Sequence, residues 1–218
     1  VPEPVPPPLA VAGYVLAGGK SSRMGSDKAL VPLSGKPLIE HAVAKLRRIC
    51  IEVAILSANP QLSEYAPLVP DLHPGCGPIG GIEAALAHSS RDWNLILPVD
   101  LPFLPGVFLE RWVSACCTSR GGLKLSLFRV GERPQPTLLM VHRDVASSLA
   151  GALERGEYQL FQALGAAAGE IADREGRPFG QVIENRTVRA EDADWFANLN
   201  TPDDVAAAES RQNLLDLI

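Results

Sequence analysis

The 218-residue chain is 46% hydrophobic and 21% charged, long enough for one α/β domain with a full core and short for two. Its 20 basic and 25 acidic residues leave a net charge of −5, which argues against nucleic acid as the main partner. No stretch approaches the roughly 20 apolar residues of a membrane span. Four cysteines without CxxC spacing or a nearby histidine pair argue against zinc and fit a reduced, cytoplasmic protein.

Residues 1–10 read as a proline-rich tail or linker, with five prolines in the first eight positions and no basic n-region of a signal peptide. Val11 to Ala17 is an apolar run that predicts a buried strand. It empties into a loop holding Gly18, Gly19 and Gly25, three serines, and the cations Lys20, Arg23 and Lys28. Glycines let successive N–H groups turn toward one point, and three cations so close together repel one another unless an anion sits between them. The loop therefore reads as a polyphosphate site. It is not a Walker A loop, because the position six before Lys20 is Tyr14 and residues 13 to 17 belong to the strand.

Pro37 to Ile49 predicts an amphipathic helix, with Lys45, Arg47 and Arg48 as cations of its last turns. A strand over Glu52 to Ser57 ends at Asn59-Pro60, a short helix over Gln61 to Ala66 follows, and a brief strand, Leu68 to Pro70, ends at Asp71. A glycine-rich stretch, His73 to Gly81, opens a helix over Ile82 to His88. Trp93 to Val99 is the next strand, with Asp100 at its carboxyl end. Alternation of strand and helix predicts an α/β fold with a mostly parallel sheet; if its order is 3-2-1-4, the first strand lies next to the one ending in Asp100. Ligands bind such sheets beyond the carboxyl ends of the strands. That order sets Asp100 opposite the Gly18–Lys28 loop, where a carboxylate can share magnesium with phosphate oxygens. The plainer alternative makes Asp100 the cap of the helix after Pro105.

The second half is less regular. Strands are expected at Leu123 to Val130 and Thr137 to Val141, and helices at Asp144 to Arg155 and Tyr158 to Leu164. Cys116 and Cys117 read as buried residues near a helix end. His41, His73, His88 and His142 read as solvated or packed. Thr201, Pro202 and Asp204 form a helix-capping box, and Asn198 and Asn200 are spaced to share one side of a strand.

Together these segments resemble the molybdenum cofactor guanylyltransferases. The resemblance rests on Leu16-Ala-Gly-Gly-Lys-Ser-Ser-Arg-Met-Gly-Ser-Asp-Lys28, Leu33-Ser-Gly-Lys-Pro-Leu38, Gly77-Pro-Ile-Gly-Gly-Ile82, Val99-Asp-Leu-Pro102 and Asn198-Leu-Asn-Thr-Pro-Asp203. It implies a three-layer α/β/α Rossmann-like nucleotidyltransferase fold over residues 11–218, with a nucleotide-binding half (11–110) and an acceptor-binding half (111–218). It also implies GTP with Mg²⁺, and molybdopterin or Mo-molybdopterin as acceptor. Molybdoenzyme chaperones or other cofactor-biosynthesis proteins would be partners, and neither nucleic acid nor membrane would be.

Carried onto this chain, Leu16, Ala17 and Gly18 would line the nucleotide, Gly19 and Arg23 would touch phosphates, and Lys28 would neutralise them. Asn59 and Asp71 would hold the nucleoside, with Gly77 and Gly80 beside it, and Asp100 would bind the metal. Asn198 and Asn200 would lie near the metal or the pterin acceptor, and Arg23, Lys28 and Asp100 would carry catalysis. Arg133, beside a predicted hairpin, is placed to meet the acceptor's phosphate. A Val99 stands where many relatives have cysteine. Two other readings stay open at this point: a cytidylyltransferase of the same fold, and a non-catalytic GTP-binding module.

Overall fold

The computed structural model describes residues 9–18, 27–211 and 215. Strand β1 (Leu9–Leu16) is followed by a small hairpin, β2 (Pro32–Leu33) and β3 (Lys36–Pro37), and by helix α1 (Leu38–Ile49). Strands β4 (Cys50–Leu56) and β5 (Leu68–Val69), helix α2 (Pro78–His88), strand β6 (Trp93–Pro98) and helix α3 (Gly106–Thr118) complete the alternating half. Then come strands β7 (Leu125–Val130) and β8 (Arg133–His142), and helices α4 (Ala146–Glu154), α5 (Leu160–Glu175) and α6 (Phe179–Val182). Strand β9 (Ile183–Thr187) and helix α7 (Pro202–Glu209) close the chain.

The main sheet has seven strands in the order β5-β4-β1-β6-β8-β7-β9. Its first four strands have the 3-2-1-4 order on which the placing of Asp100 depends, all parallel. Only β8 runs against its neighbours, and β9 lies parallel to β7. The carboxyl ends of β5, β4, β1, β6, β7 and β9 consequently share one edge.

The alternation of side chains along each strand feeds two cores. On one face Val11, Val15 and Leu97 meet Leu46 of α1 and Leu109, Trp112 and Val113 of α3. On the other, Ala12, Tyr14 and Ile96 meet Ile79 and Ile82 of α2, Leu149 of α4 and Leu164 of α5. The result is the three-layer α/β/α arrangement.

Several boundaries differ from the sequence expectation, each for a local reason. Helix α2 starts at Pro78, four residues before Ile82, because Gly77 supplies the left-handed turn (φ 73°) and Pro78 is pre-set for a first helical position. Helix α5 runs past Gly165 to Glu175, since Leu164, Ala167, Ala168 and Ile171 keep the buried stripe going until Gly176 ends it in the left-handed conformation. Strand β8 begins at Arg133 and runs through Pro134 and Pro136. Its pairing with β6 involves only residues 139–142, so the prolines lie where β8 has no second neighbour to miss their N–H groups. Residues 179–187 form α6 and β9, which no apolar run announces: β9 buries Ile183 alone. Of the three cations in the last turns of α1, Lys45 is a core residue, 1% exposed, while Arg47 and Arg48 are exposed. Cys116 is buried as expected, but Cys117 is exposed. Among the described residues no helix is long and apolar enough to cross a membrane.

Candidate active site

Four strand ends and one helix start converge at the carboxyl edge. β1 delivers Leu16, Ala17 and Gly18; β4 is followed by Asn59; β5 leads to Asp71; β6 leads to Asp100; and α2 begins at Gly77–Pro78. The backbone ties these ends together through Ala17 N–H to the Leu56 carbonyl (3.3 Å), Ser57 N–H to the Val69 carbonyl (3.2 Å) and Val99 N–H to the Leu16 carbonyl (3.2 Å). The loop from Gly18 therefore leaves the sheet between the loops that carry Asn59 and Asp100.

At the far end of that loop Lys28 donates from Nζ to Asp100 Oδ2 and to Asn200 Oδ1, both at 2.7 Å. The ion pair is sheltered, with 16% of the lysine side chain and 22% of the aspartate side chain exposed. It joins residues 72 and 172 positions apart in the chain, so the first loop, the loop after β6 and the approach to α7 meet at one amine. Asp100 does not cap α3, whose N-cap is Pro105 with no side-chain bond.

Asn200 is held by its own backbone. Its N–H and that of Thr201 both donate to Asp204 Oδ2 at 2.8 Å, and Thr201 Oγ1 accepts from Asp204 N–H at 3.1 Å, the expected capping box. These hydrogen bonds hold the Asp204 carboxyl below its usual range. Asn198 and Asn200 are exposed on either side of buried Leu199, but the segment is not a strand. It is tied to the β6 loop by the Leu199 N–H to Asp100 carbonyl bond at 3.1 Å.

A second group lies across the edge. Asn59 Nδ2 donates to Asp27 Oδ2 at 2.6 Å, and Asp27 Oδ1 caps the short turn Lys28–Leu30 through Ala29 N–H at 3.0 Å. Sequence reasoning passed over Asp27, although an acid directly before Lys28 in a turn is a capping signal. Asp71 lies against the first turn of α2, where a Cβ on Gly81 would come within 3.3 Å of its Oδ1 and 3.2 Å of Leu16 Cδ1. On Gly80 a Cβ would meet the His73 carbonyl at 3.1 Å. These two glycines are what let α2 approach the edge so closely. Burial pushes the Asp71 carboxyl above its usual range.

Arg133 is exposed at the β7–β8 hairpin, on the same edge but beyond β6 and β8. Gly19 and Arg23 lie outside the described residues. Three histidines have partners: His41 Nε2 contacts the Leu33 carbonyl (2.9 Å), His88 Nδ1 the Tyr14 hydroxyl (3.1 Å), and His142 Nδ1 Asp144 Oδ2 (3.2 Å). His73 is exposed.

Among the described residues no three histidine, cysteine or acidic side chains gather into a metal-binding group. Asp100 offers a single hard oxygen donor group at the edge. That donor set suits a cation that brings phosphate and water ligands with it, and not one caged by protein alone.

A family model for the MobA-like NTP transferase domain matches residues 13–168. A molybdenum cofactor guanylyltransferase from Vibrio atlanticus (strain LGP32) is 32% identical over 203 residues, covering 91% of this chain and 95% of its own. Another, from Serratia proteamaculans (strain 568), is 34% identical over 72% of this chain and 80% of its own. The crystal structure of molybdopterin-guanine dinucleotide biosynthesis protein A from Archaeoglobus fulgidus is similar with a TM-score of 0.72 at 26% identity, covering 93% of this chain and 98% of that one. On the match over residues 13–168 and the similarity to these guanylyltransferases, the chain belongs to the MobA-like NTP transferase family of nucleotidyltransferases.

Proposed function

We propose that the protein transfers the guanylyl group of GTP to molybdopterin or Mo-molybdopterin, giving the guanine dinucleotide form of the cofactor and pyrophosphate. The observation that carries the reading is the Lys28 amine held between Asp100 and Asn200 at the carboxyl edge. The names of the similar guanylyltransferases support the choice of base and acceptor.

In this reading an oxygen of the acceptor's terminal phosphate attacks the α-phosphorus of GTP. A new phosphoanhydride bond forms, the bond between α-phosphorus and the bridging oxygen breaks, and pyrophosphate leaves. A phosphate monoester with a second pKa of about 6 is already mostly dianionic at neutral pH, so the attack needs no general base. The difficulty is electrostatic, because two anions must meet in line. Lys28 and Arg23 neutralise phosphate charge, and backbone N–H groups of the glycine-rich loop that starts at Gly18 and Gly19 would add donors to the same oxygens. Leu16 and Ala17 line the nucleoside with Asn59, Asp71, Gly77 and Gly80. Asn198, Asn200 and Arg133 face the acceptor from the 111–218 half. Magnesium bound with the nucleotide would be held by Asp100 and would spread the negative charge of the triphosphate.

Incubation of the protein with Mg²⁺, molybdopterin and GTP should release pyrophosphate, with little release when CTP replaces GTP or when EDTA is added. Saturable GTP binding without pyrophosphate release would refute the reading.

A further inference from the structure

Lys45 is the least expected charged residue in the molecule. It sits on the apolar stripe of α1, between His41, Ala42, Leu46 and Ile49, and is 1% exposed. Burying an amine costs free energy unless something repays it, and among the described residues the Lys45 amine has one acceptor, the Pro102 carbonyl at 2.8 Å. That carbonyl lies two residues beyond Asp100. Leu101, Phe103 and Leu104 on either side of it are 3%, 1% and 0% exposed. The loop between β6 and α3 contains Pro102 and Pro105, which have no N–H to give, so its shape depends in good part on what its carbonyls accept.

Two bonds from distant parts of the chain supply this: Leu199 N–H to the Asp100 carbonyl and Lys45 Nζ to the Pro102 carbonyl. The first comes from the same segment that presents Asn200 to Lys28. The second comes from inside the core, where water does not compete.

We propose that Lys45 is a positioning residue: its amine, bonded to the Pro102 carbonyl, fixes the loop that aims the Asp100 carboxylate at the nucleotide site. The proposal rests on the reading of Asp100 as the carboxylate that acts on the metal-bound nucleotide. A long apolar side chain could fill the same space in the core but could not hold the carbonyl. Stability and catalysis should therefore separate. Losing the bond leaves the fold in place and loosens the loop, so turnover and metal response suffer while the affinity for the nucleoside does not.

The test compares Lys45→Met, which keeps length without a donor, with Lys45→Arg, which keeps a donor, and with Asp100→Asn measured in parallel. Lys45→Met should melt cooperatively and keep the KM for GTP within about twofold. Its kcat should fall about tenfold or more, and the Mg²⁺ concentration for half-maximal rate should rise. Amide hydrogen exchange should accelerate at Leu101, Phe103 and Leu104 but not in β1. Lys45→Arg should restore both kcat and exchange protection. If Lys45→Met does not fold, Lys45→Arg decides alone: retained turnover and loop protection support the role, and loss of either in a folded variant overturns it. The proposal is also overturned if folded Lys45→Met has unchanged kcat and unchanged exchange, or if both variants are impaired equally. If Asp100→Asn keeps full activity, the reading of the site has failed, whatever the Lys45 variants do.

Discussion

Asp100 and Asp144 hold lysines in nearly the same geometry at opposite ends of one sheet. Asp100 Oδ2 lies 2.7 Å from Lys28 Nζ, and Asp144 Oδ2 lies 2.6 Å from Lys124 Nζ, with 16% of the side chain exposed for each lysine. The Asp144 pair even carries a histidine, His142, at 3.2 Å, with Trp93 edge-on to its ring. On side-chain inventory alone the second cluster looks more like a catalytic centre.

What separates the two is what surrounds them. Lys124 and Asp144 flank β7 and β8 at the amino edge, joining neighbours that the sheet has already brought together. Lys28 and Asp100 join loops that only the fold brings together, beside a helix start approached through glycines at the carboxyl edge. A salt bridge is common on any protein surface. The loop ends converging on this one are not.

The largest expected effect breaks that comparison directly. Lys28→Ala or Asp100→Asn should lower kcat by about 10²- to 10³-fold, as removal of one preorganised charge-stabilising group does. Lys124→Ala and Asp144→Asn should leave turnover unchanged and cost about 0–1 kcal/mol in denaturant unfolding. For Lys28→Ala, an unchanged kcat with only a raised KM for GTP would contradict its role.

Lys45, a lysine with no carboxylate, sharpens the comparison further. Burial lowers its pKa to about 7, from 10.5 in the unfolded chain. Between these values the unfolded state binds the extra proton, so stability rises with pH, by about 2–3 kcal/mol from pH 7 to 9. Burial also pushes the Cys50 and Cys116 thiols up to about 12 from 9.0. Above pH 9 the unfolded chain loses those protons first, so the two thiols outweigh the one amine and stability falls. Thermal melts should therefore show a maximum near pH 9, and Lys45→Met should lose the rise from pH 7 to 9.

Glycine substitutions extend the contrast from charges to backbone. Gly80→Ala places a Cβ 3.1 Å from the His73 carbonyl and should raise the KM for GTP about tenfold, or about 1.4 kcal/mol. Gly165→Ala, mid-helix in α5 with nothing within 4 Å of the new methyl, should stabilise by about 0.5–1 kcal/mol and leave kinetics alone. A comparably small effect on stability is expected at the approach to α7, where Thr201→Ala removes a cap worth about 1 kcal/mol. Thr201→Ser should restore it in the same melt.

The carboxyl-edge half was legible in the sequence because its strands are continuous apolar runs, separated by helices and punctuated by glycine and proline. That was enough for the strands, the parallel sheet and, given the order 3-2-1-4, the placing of Asp100 opposite the Gly18–Lys28 loop. The other half hid itself. Ile183 to Thr187 buries one side chain, as an edge strand can. Pro134 and Pro136 masked the start of a strand whose outer stretch needs no second partner, and Gly165 masked the middle of a helix. Lys45 reads with Arg47 and Arg48 as a cation of the last turns, although its spacing from Leu38, Ala42 and Ile49 sets it apart on the buried stripe.

The most direct measurement follows the α-phosphate of GTP through a single turnover with molybdopterin and Mg²⁺. Label at that position should appear in the guanine dinucleotide and none in pyrophosphate, with the transfer lost in Asp100→Asn. Label that stays in bound GTP, or that transfers as readily from CTP, would contradict the guanylyl-transfer account.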